Sequence, residues 1–251
     1  MLTDVTVSGN RTTSFGDGGG IFSEDGAITL VDSIVSDNFS DDDGGGVFSQ
    51  DGDVALNNSS VIGNVSDDDG GGIYTDGDVL TLTDSFVSNN RSESGGDGGG
   101  IFTFGTDVTL NSSELIGNIT SGSGDGGGIH TSAGDVFVNL STINGNQSGD
   151  GGGGIETSSG DVTFNDSSLS DNIAGDEGGG VTTFSGDLTF DRSTISGNQS
   201  GGNGGGIETF FGDILLRNST VSGNQSGDSG GGIYQDTGCL LYTSPSPRDR
   251  G

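Results

Sequence analysis

Three consecutive glycines followed by Ile or Val recur nine times in this chain, and the spacing of that block limits the fold more than any other feature. The aliphatic residue stands at Ile21, Val47, Ile73, Ile101, Ile129, Ile155, Val181, Ile207 and Ile233, at intervals of 26 residues apart from two of 28. An Asn closes the second half of each unit, at Asn10, Asn38, Asn64, Asn90, Asn118, Asn146, Asn172, Asn198 and Asn224. Five positions before it stands a Ser in eight of the nine units, from Ser33 to Ser219. A fixed period of this length signals a stacked repeat, and it is too short for a propeller blade of about 40 residues.

Within a unit the apolar residues alternate over three or four positions, as in Ile21-Phe22-Ser23, Ile28-Thr29-Leu30 and Ser33-Ile34-Val35. Gly, Asp and Asn interrupt these runs, so the pattern predicts short strands and turns. Helix is disfavoured by the glycine clusters, at close to 1 kcal/mol per Gly relative to Ala. Three such strands cannot bury an apolar face alone. Stacked in successive coils about 4.8 Å apart, each inward aliphatic packs on its copies above and below. The expected fold is all-β, a single-stranded right-handed parallel β-helix of about nine rungs, the hand following the crossover rule.

Composition fits that geometry. With 54 Gly and only 27% apolar residues among 251, the chain is too lean for an ordinary compact core. A narrow column needing about four aliphatics per coil asks for less. The interior positions Ser23, Ser49, Thr75, Thr103, Thr131, Thr157, Thr183 and Thr209 are expected to add hydroxyl stacks. The repeated Asn predicts a side-chain amide ladder along one turn. Most of these Asn also read as Asn-x-Ser/Thr, as at Asn38-Phe39-Ser40, where a buried amide would be out of reach of glycosylation.

The pairing of Gly-Gly-Gly-[Ile/Val] with [Val/Ile/Leu]-x-x-Asn resembles the repeat of the chlamydial polymorphic outer-membrane protein family. It is similar, too, to the wider group of right-handed β-helix repeats in secreted bacterial and archaeal proteins. That family alternates Gly-Gly-Ala-[Ile/Leu/Val] with Phe-x-x-Asn; here the third position is Gly throughout, and Val35, Val61 and their equivalents replace the Phe. The resemblance covers residues 1–238. It implies a β-helical rod and an extracellular or cell-surface location, the outer membrane included. It leaves function open among adhesins, autotransporter passengers and carbohydrate-active enzymes.

Residues 239–251 break the pattern. Both Pro, the one Cys and two of the six Arg fall there. One reverse translation of Cys239 to Asp249 resembles the adapter of transposase-based sequencing libraries read in frame. The segment is therefore expected to be non-native and disordered, and residues 1–238 to be a fragment truncated at both ends. Leu2 to Asn10 aligns with the second half of a repeat, such as Leu82 to Asn90.

The net charge of −31, with 31 Asp and no Lys, argues against nucleic acid or an anionic membrane as partner. No apolar run approaches the roughly 20 residues of a membrane-spanning helix. The densest acidic turns are Asp41-Asp42-Asp43 and Asp67-Asp68-Asp69, followed by Asp97, Asp125, Asp150, Asp176, Glu177 and Asp228. A second column precedes the middle strand at Asp53, Asp78, Asp107, Asp135, Asp161, Asp187 and Asp213. Carboxylates stacked about 4.8 Å apart in water repel by roughly 0.9 kcal/mol per pair. Ca²⁺ bridging at Asp41, Asp42, Asp43, Asp67, Asp68 and Asp69 would relieve this. So would a solvated acidic surface in salty surroundings, which the composition resembles and which is the favoured reading. No other cofactor is expected.

The outward column Phe22, Phe48, Tyr74, Phe102 continues as His130, Glu156, Thr182, Glu208. It reads as an exposed aromatic strip, able to meet a sugar or a partner, or simply stacked on the rod surface. Pectate lyases and polygalacturonases share the fold class, but they gather a basic residue or converging carboxylates at one place. Here the acids repeat at every rung, and His130 with Glu156 is the least implausible couple, given no catalytic role. The resulting expectation is a non-enzymatic, adhesin-like extracellular stalk, whose partner would be a host or matrix surface or a polysaccharide. The alternative is the non-catalytic portion of a β-helical polysaccharide lyase or glycoside hydrolase.

Overall fold

The computed structural model describes residues 1–77 and 79–243. Among them every strand pairs in parallel with its equivalents one rung away, and there is no helix. The chain is a parallel β-solenoid of about nine turns. One sheet of nine strands runs from Ile21–Ser23 to Ile233–Gln235, each strand following a glycine block. A second, of ten strands, starts with Leu2–Thr3 and Ile28–Val31, and a third, of nine, runs from Thr6–Ser8 to Thr220–Ser222.

A rung has more strand than the three runs in the sequence suggest. After the ladder Asn a two-residue strand forms a fourth face, as at Phe39–Ser40 and Val65–Ser66, in sheets of four and three strands. These pairs carry too few residues to alternate visibly. Their backbone pairing, Val65 beside Phe39 and Arg91, is what identifies them.

Four aliphatic columns fill the interior. Val47, Val54, Leu56 and Val61 represent them in one rung, all at most 1% exposed, and the columns form one continuous hydrophobic cluster. Register explains the economy: Leu82 sits between Leu56 and Leu110 on adjacent strands, so each side chain is covered by its own copies. The Ser/Thr column is buried as well, but its hydroxyls do not chain together. Ser49 Oγ donates to Gly52 O at 2.8 Å, and Thr103 Oγ1 to Thr106 O at 3.2 Å, closing the turn that follows.

Two corners turn on single residues with left-handed backbone. One precedes the ladder Ser, at Asp32, Asn58, Asp84, Ser112, Leu140, Asp166, Arg192 and Asn218, with φ of 46 to 51°. The other precedes the ladder Asn, at Asp37, Gly63, Asn89 and their equivalents. Asp, Asn and Gly tolerate this conformation, whereas other residues lose about 1–2 kcal/mol in it. Leu140 does so with its side chain 67% exposed and nothing to gain by it. Replacing it, Leu140→Asn, is expected to stabilise the rod by roughly 1 kcal/mol, read as a rise of a few degrees in Tm.

The last described strand, Leu240–Thr243, pairs with Ile214–Arg217 and so corrects the expectation of disorder throughout residues 239–251. The open edge of a parallel sheet templates any β-prone segment that reaches it. All four residues stay exposed, and the segment leaves a cavity of about 460 Å³ lined by Leu216, Val221 and Ile233. The remainder of the tail, 244–251, lies outside the described residues.

Candidate functional site

The Asn ladder runs along the rod interior. Asn118 is representative: its Oδ1 accepts from Asn90 N and Asn90 Nδ2, both at 3.0 Å. Its Nδ2 donates to Val87 O at 3.0 Å and to Asn146 Oδ1 at 2.9 Å. The same links join Asn10, Asn38, Asn64, Asn90, Asn146, Asn172, Asn198 and Asn224. From Asn38 to Asn198 these residues are at most 1% exposed, so their Asn-x-Ser/Thr triplets present no surface acceptor. The Ser column forms a second ladder, Ser59 N donating to Ser85 Oγ and Ser85 N to Ser113 Oγ, each at 3.1 Å.

The acidic turns are also built into the rung-to-rung bonding. Asp43 Oδ1 accepts from Asp69 N at 2.9 Å, Asp69 Oδ1 from Asp97 N at 2.7 Å, and Asp97 Oδ1 from Asp125 N at 2.8 Å. Asp125 Oδ1 ends the series on Gly151 N at 2.8 Å. The second column behaves alike: Asp107 Oδ1 takes Asp135 N, Asp135 takes Asp161 N, and Asp161 takes Asp187 N. Asp53 does the same for Val79 N at 3.1 Å, while Asp78 lies outside the described residues. Each such carboxylate satisfies a backbone donor that no neighbouring strand reaches. Sequence reading missed this because a turn aspartate looks the same whether it faces water or the next rung.

The six aspartates singled out as calcium candidates fall into different settings. Asp42 and Asp43 converge with Asp17, one ligand oxygen of each lying within 4.8 Å of the others. Asp41 instead accepts from Phe15 N at 3.1 Å, and Asp67 from Ser94 Oγ at 3.0 Å. Burial pushes Asp43 and Asp69 up to about 7, neighbouring aspartates adding to the effect and the accepted N–H opposing it. Glu208 is likewise pushed up to about 7 by burial, with Glu177 contributing.

Acids raised above their unfolded values bind protons better when folded, so their stabilisation is full at low pH and is lost as pH rises through 7. His130 has the opposite sign, but only below its unfolded value near 6.5. Tm is therefore expected to fall by a few degrees between pH 6.5 and 8.5 in thermal denaturation followed by circular dichroism. An equal or higher Tm at pH 8.5 would remove these carboxyls from the account.

The aromatic column is corrected by the structure. Phe22, Phe48, Tyr74, Phe102 and His130 stack ring on ring, with centroids 4.8 to 5.3 Å apart, but they are not an exposed strip. Phe48 and Phe102 are 8% and 7% exposed, and only Phe22, at the end, is open. The acidic turn folds over them, so closely that a Cβ on Gly44 would stand 2.8 Å from the Phe48 Cβ. Exposed aromatics lie elsewhere, on the turn after the glycine-block strand. Phe184 packs beside Phe210 and Phe211 at 5.6 and 5.1 Å, and Phe184 and Phe211 are each more than half exposed. Counting forward from each Thr of the interior column would have found them.

His130 and Glu156 are brought into register on paired strands and both point beneath the turn. Burial drives the imidazole down to about 4 despite Asp125, and drives the Glu156 carboxyl well up, with Asp125 and Asp97 pushing the same way. One ligand atom each of Asp97, Asp125 and His130 gather within 4.8 Å of one another. In the sequence Asp97 and Glu156 each lie a rung away from Asp125 and His130, and only the coil superposes them.

Nine stacked rungs, an Asn ladder and a glycine block before the first strand are the geometry with which a known repeat can be compared. Residues 218–236 match the Chlamydia polymorphic membrane protein repeat. Neither a curated protein nor a solved structure matches the chain. The matched stretch joins the ladder Asn224 to the block Gly230-Gly231-Gly232 and the strand Ile233–Gln235, a junction of Asn and glycine block that recurs along this chain. Among the described residues, no helix is long and apolar enough to cross a membrane.

Proposed function

We propose that residues 1–238 form an adhesin-like stalk of an extracellular or cell-surface protein, with no catalytic chemistry in their own side chains. The observation that carries this reading is the unbroken register. Backbone, aliphatic columns and Asn ladder repeat from rung to rung, as suits a spacer that transmits length and stiffness. Nine rungs give a rod of roughly 40 Å, lengthening by about 4.8 Å with each further repeat. The polymorphic membrane protein repeat supports a surface location, the outer membrane included. The exposed Phe184 and Phe211, beside the half-buried Phe210, support contact with a sugar or a protein surface, since aromatic faces stack on both.

Beads coated with residues 1–238 should adhere to matrix-coated or polysaccharide-coated surfaces better than beads carrying an unrelated acidic protein. Phe184→Ser with Phe211→Ser should reduce that difference. Equal adhesion of all three would remove the adhesive part, leaving the stalk to be judged by rod length in electron micrographs. Calcium belongs to the same proposal at the edge where Asp17, Asp42 and Asp43 converge. Calorimetry should show Ca²⁺ heat and a rise in Tm, and silence at millimolar Ca²⁺ would exclude that edge as a site.

A further inference from the structure

Two columns of the rod break at the same place. The carboxylate ladder that begins at Asp17 ends at Asp125, because Gly151 occupies the next position. The ring stack that begins at Phe22 ends at His130, because Glu156 follows it. At this junction Asp97 and Asp125 each use Oδ1 to accept a backbone N–H, leaving Oδ2 uncommitted to that bond. Asp97 Oδ2 lies 3.9 Å from His130 Nδ1.

His130 is 7% exposed, and its Nδ1 is buried without a hydrogen-bond partner. Phe102, parallel at 5.3 Å, fixes the plane of the ring. Glu156 Oε2 is also buried and unpartnered. It lies against Gly151, where a Cβ would collide with it and stand 3.6 Å from Asp125 Oδ1. A buried nitrogen and a buried carboxylate oxygen lacking partners are expensive to hold unless something joins them.

We propose that Asp97, Asp125 and His130, with Glu156 as fourth donor, form a site for a divalent transition metal of the zinc class that clamps three successive rungs. An ion central to the three gathered atoms would lie at most about 2.8 Å from each. Side-chain shifts of under about 1 Å bring nitrogen and oxygen to the roughly 2.0–2.2 Å of zinc coordination. Imidazole selects zinc, copper, nickel or iron over calcium, which takes oxygen ligands. The acidic cluster at Asp17, Asp42 and Asp43 offers no nitrogen donor. Binding to the folded rod alone stabilises it by mass action.

His130 is the one histidine of the chain, so its imidazole resonances report on this site alone. Chelator-stripped full-length protein is titrated with zinc chloride, followed by nuclear magnetic resonance and by Tm. The expected result is movement of the imidazole signals that saturates at one equivalent, with a rise in Tm. In His130→Phe, where the new ring continues the stack, zinc affinity should fall at least about tenfold and the Tm response should vanish. Asp97→Asn, which keeps the acceptor for Asp125 N–H, should weaken binding in the same direction. Imidazole signals unmoved at saturating zinc would overturn the site, since they would mean scattered surface carboxylates hold the ion. Unchanged affinity in a folded His130→Phe variant would do so equally. Should that variant not fold, the wild-type imidazole signals decide.

Discussion

Asn118→Ala is expected to destabilise the rod by about 4 kcal/mol. Truncation leaves the buried Asn90 N without a partner, which alone costs about 1–3 kcal/mol, and removes two further buried bonds, from Asn90 Nδ2, which keeps Val61 O, and to Val87 O. Water cannot substitute, because the site is closed above and below by Asn146 and Asn90. Asn10→Ala is the matched control: that residue is exposed at the end of the rod and donates only to Asn38, so its loss should be under about 1 kcal/mol. Urea unfolding of the two variants measures the contrast. Equal losses would show that the ladder adds nothing beyond the backbone pairing.

Gly99→Ala should destabilise by about 3 kcal/mol or more, through overpacking. The middle glycine of each block does not need positive φ; it needs to lack a side chain. A Cβ at Gly99 would stand 2.5 and 2.6 Å from the carbonyl carbon and oxygen of Ile119 and 2.7 Å from Gly127 O. All three are backbone atoms held in parallel pairing, so none can rotate away. Gly105→Ala is the control, because nothing lies within 4 Å of its would-be Cβ. That change should be neutral or stabilising by a few tenths of a kcal/mol, through lost freedom of the unfolded chain. Native-state proteolysis should then locate the Gly99→Ala defect in the rungs of Ile73, Ile101 and Ile129. A uniform loss of protection along the rod would contradict a nearest-neighbour solenoid.

The glycine block illustrates how far sequence reading reaches. Its recurrence gave the rung length, but three adjacent glycines have three reasons to be there. Gly44 turns the chain with φ of 65°, Gly45 lies against the backbone of Val65, and a Cβ on Gly46 would meet the Asn64 amide at 2.9 Å. Only the first reason is the familiar conformational one. Likewise Asp32, Asn58 and Leu140 share one left-handed corner, and the first two are legible as turn residues while Leu140 is not. Its position is imposed by the rungs on either side, which override its own preference.

Periodicity alone determined the coil: a repeat of 26 or 28 residues with fixed aliphatic, Ser and Asn positions has few other ways to bury its apolar atoms. It determined the four interior columns too, because residues that recur in register must lie on one another. The acidic turns were decided only in three dimensions. Strand alternation separates inside from outside, yet it does not tell whether a loop closes over the outside. Here the turn folds back across the Phe22-to-Glu208 column, burying Phe48, Phe102 and His130 and turning Asp43, Asp69, Asp97 and Asp125 into backbone acceptors. The physical reason is the orphaned N–H groups of the turn, which must find a partner one rung away when no strand supplies one. Asp97, Asp125 and His130 are brought together by that closure.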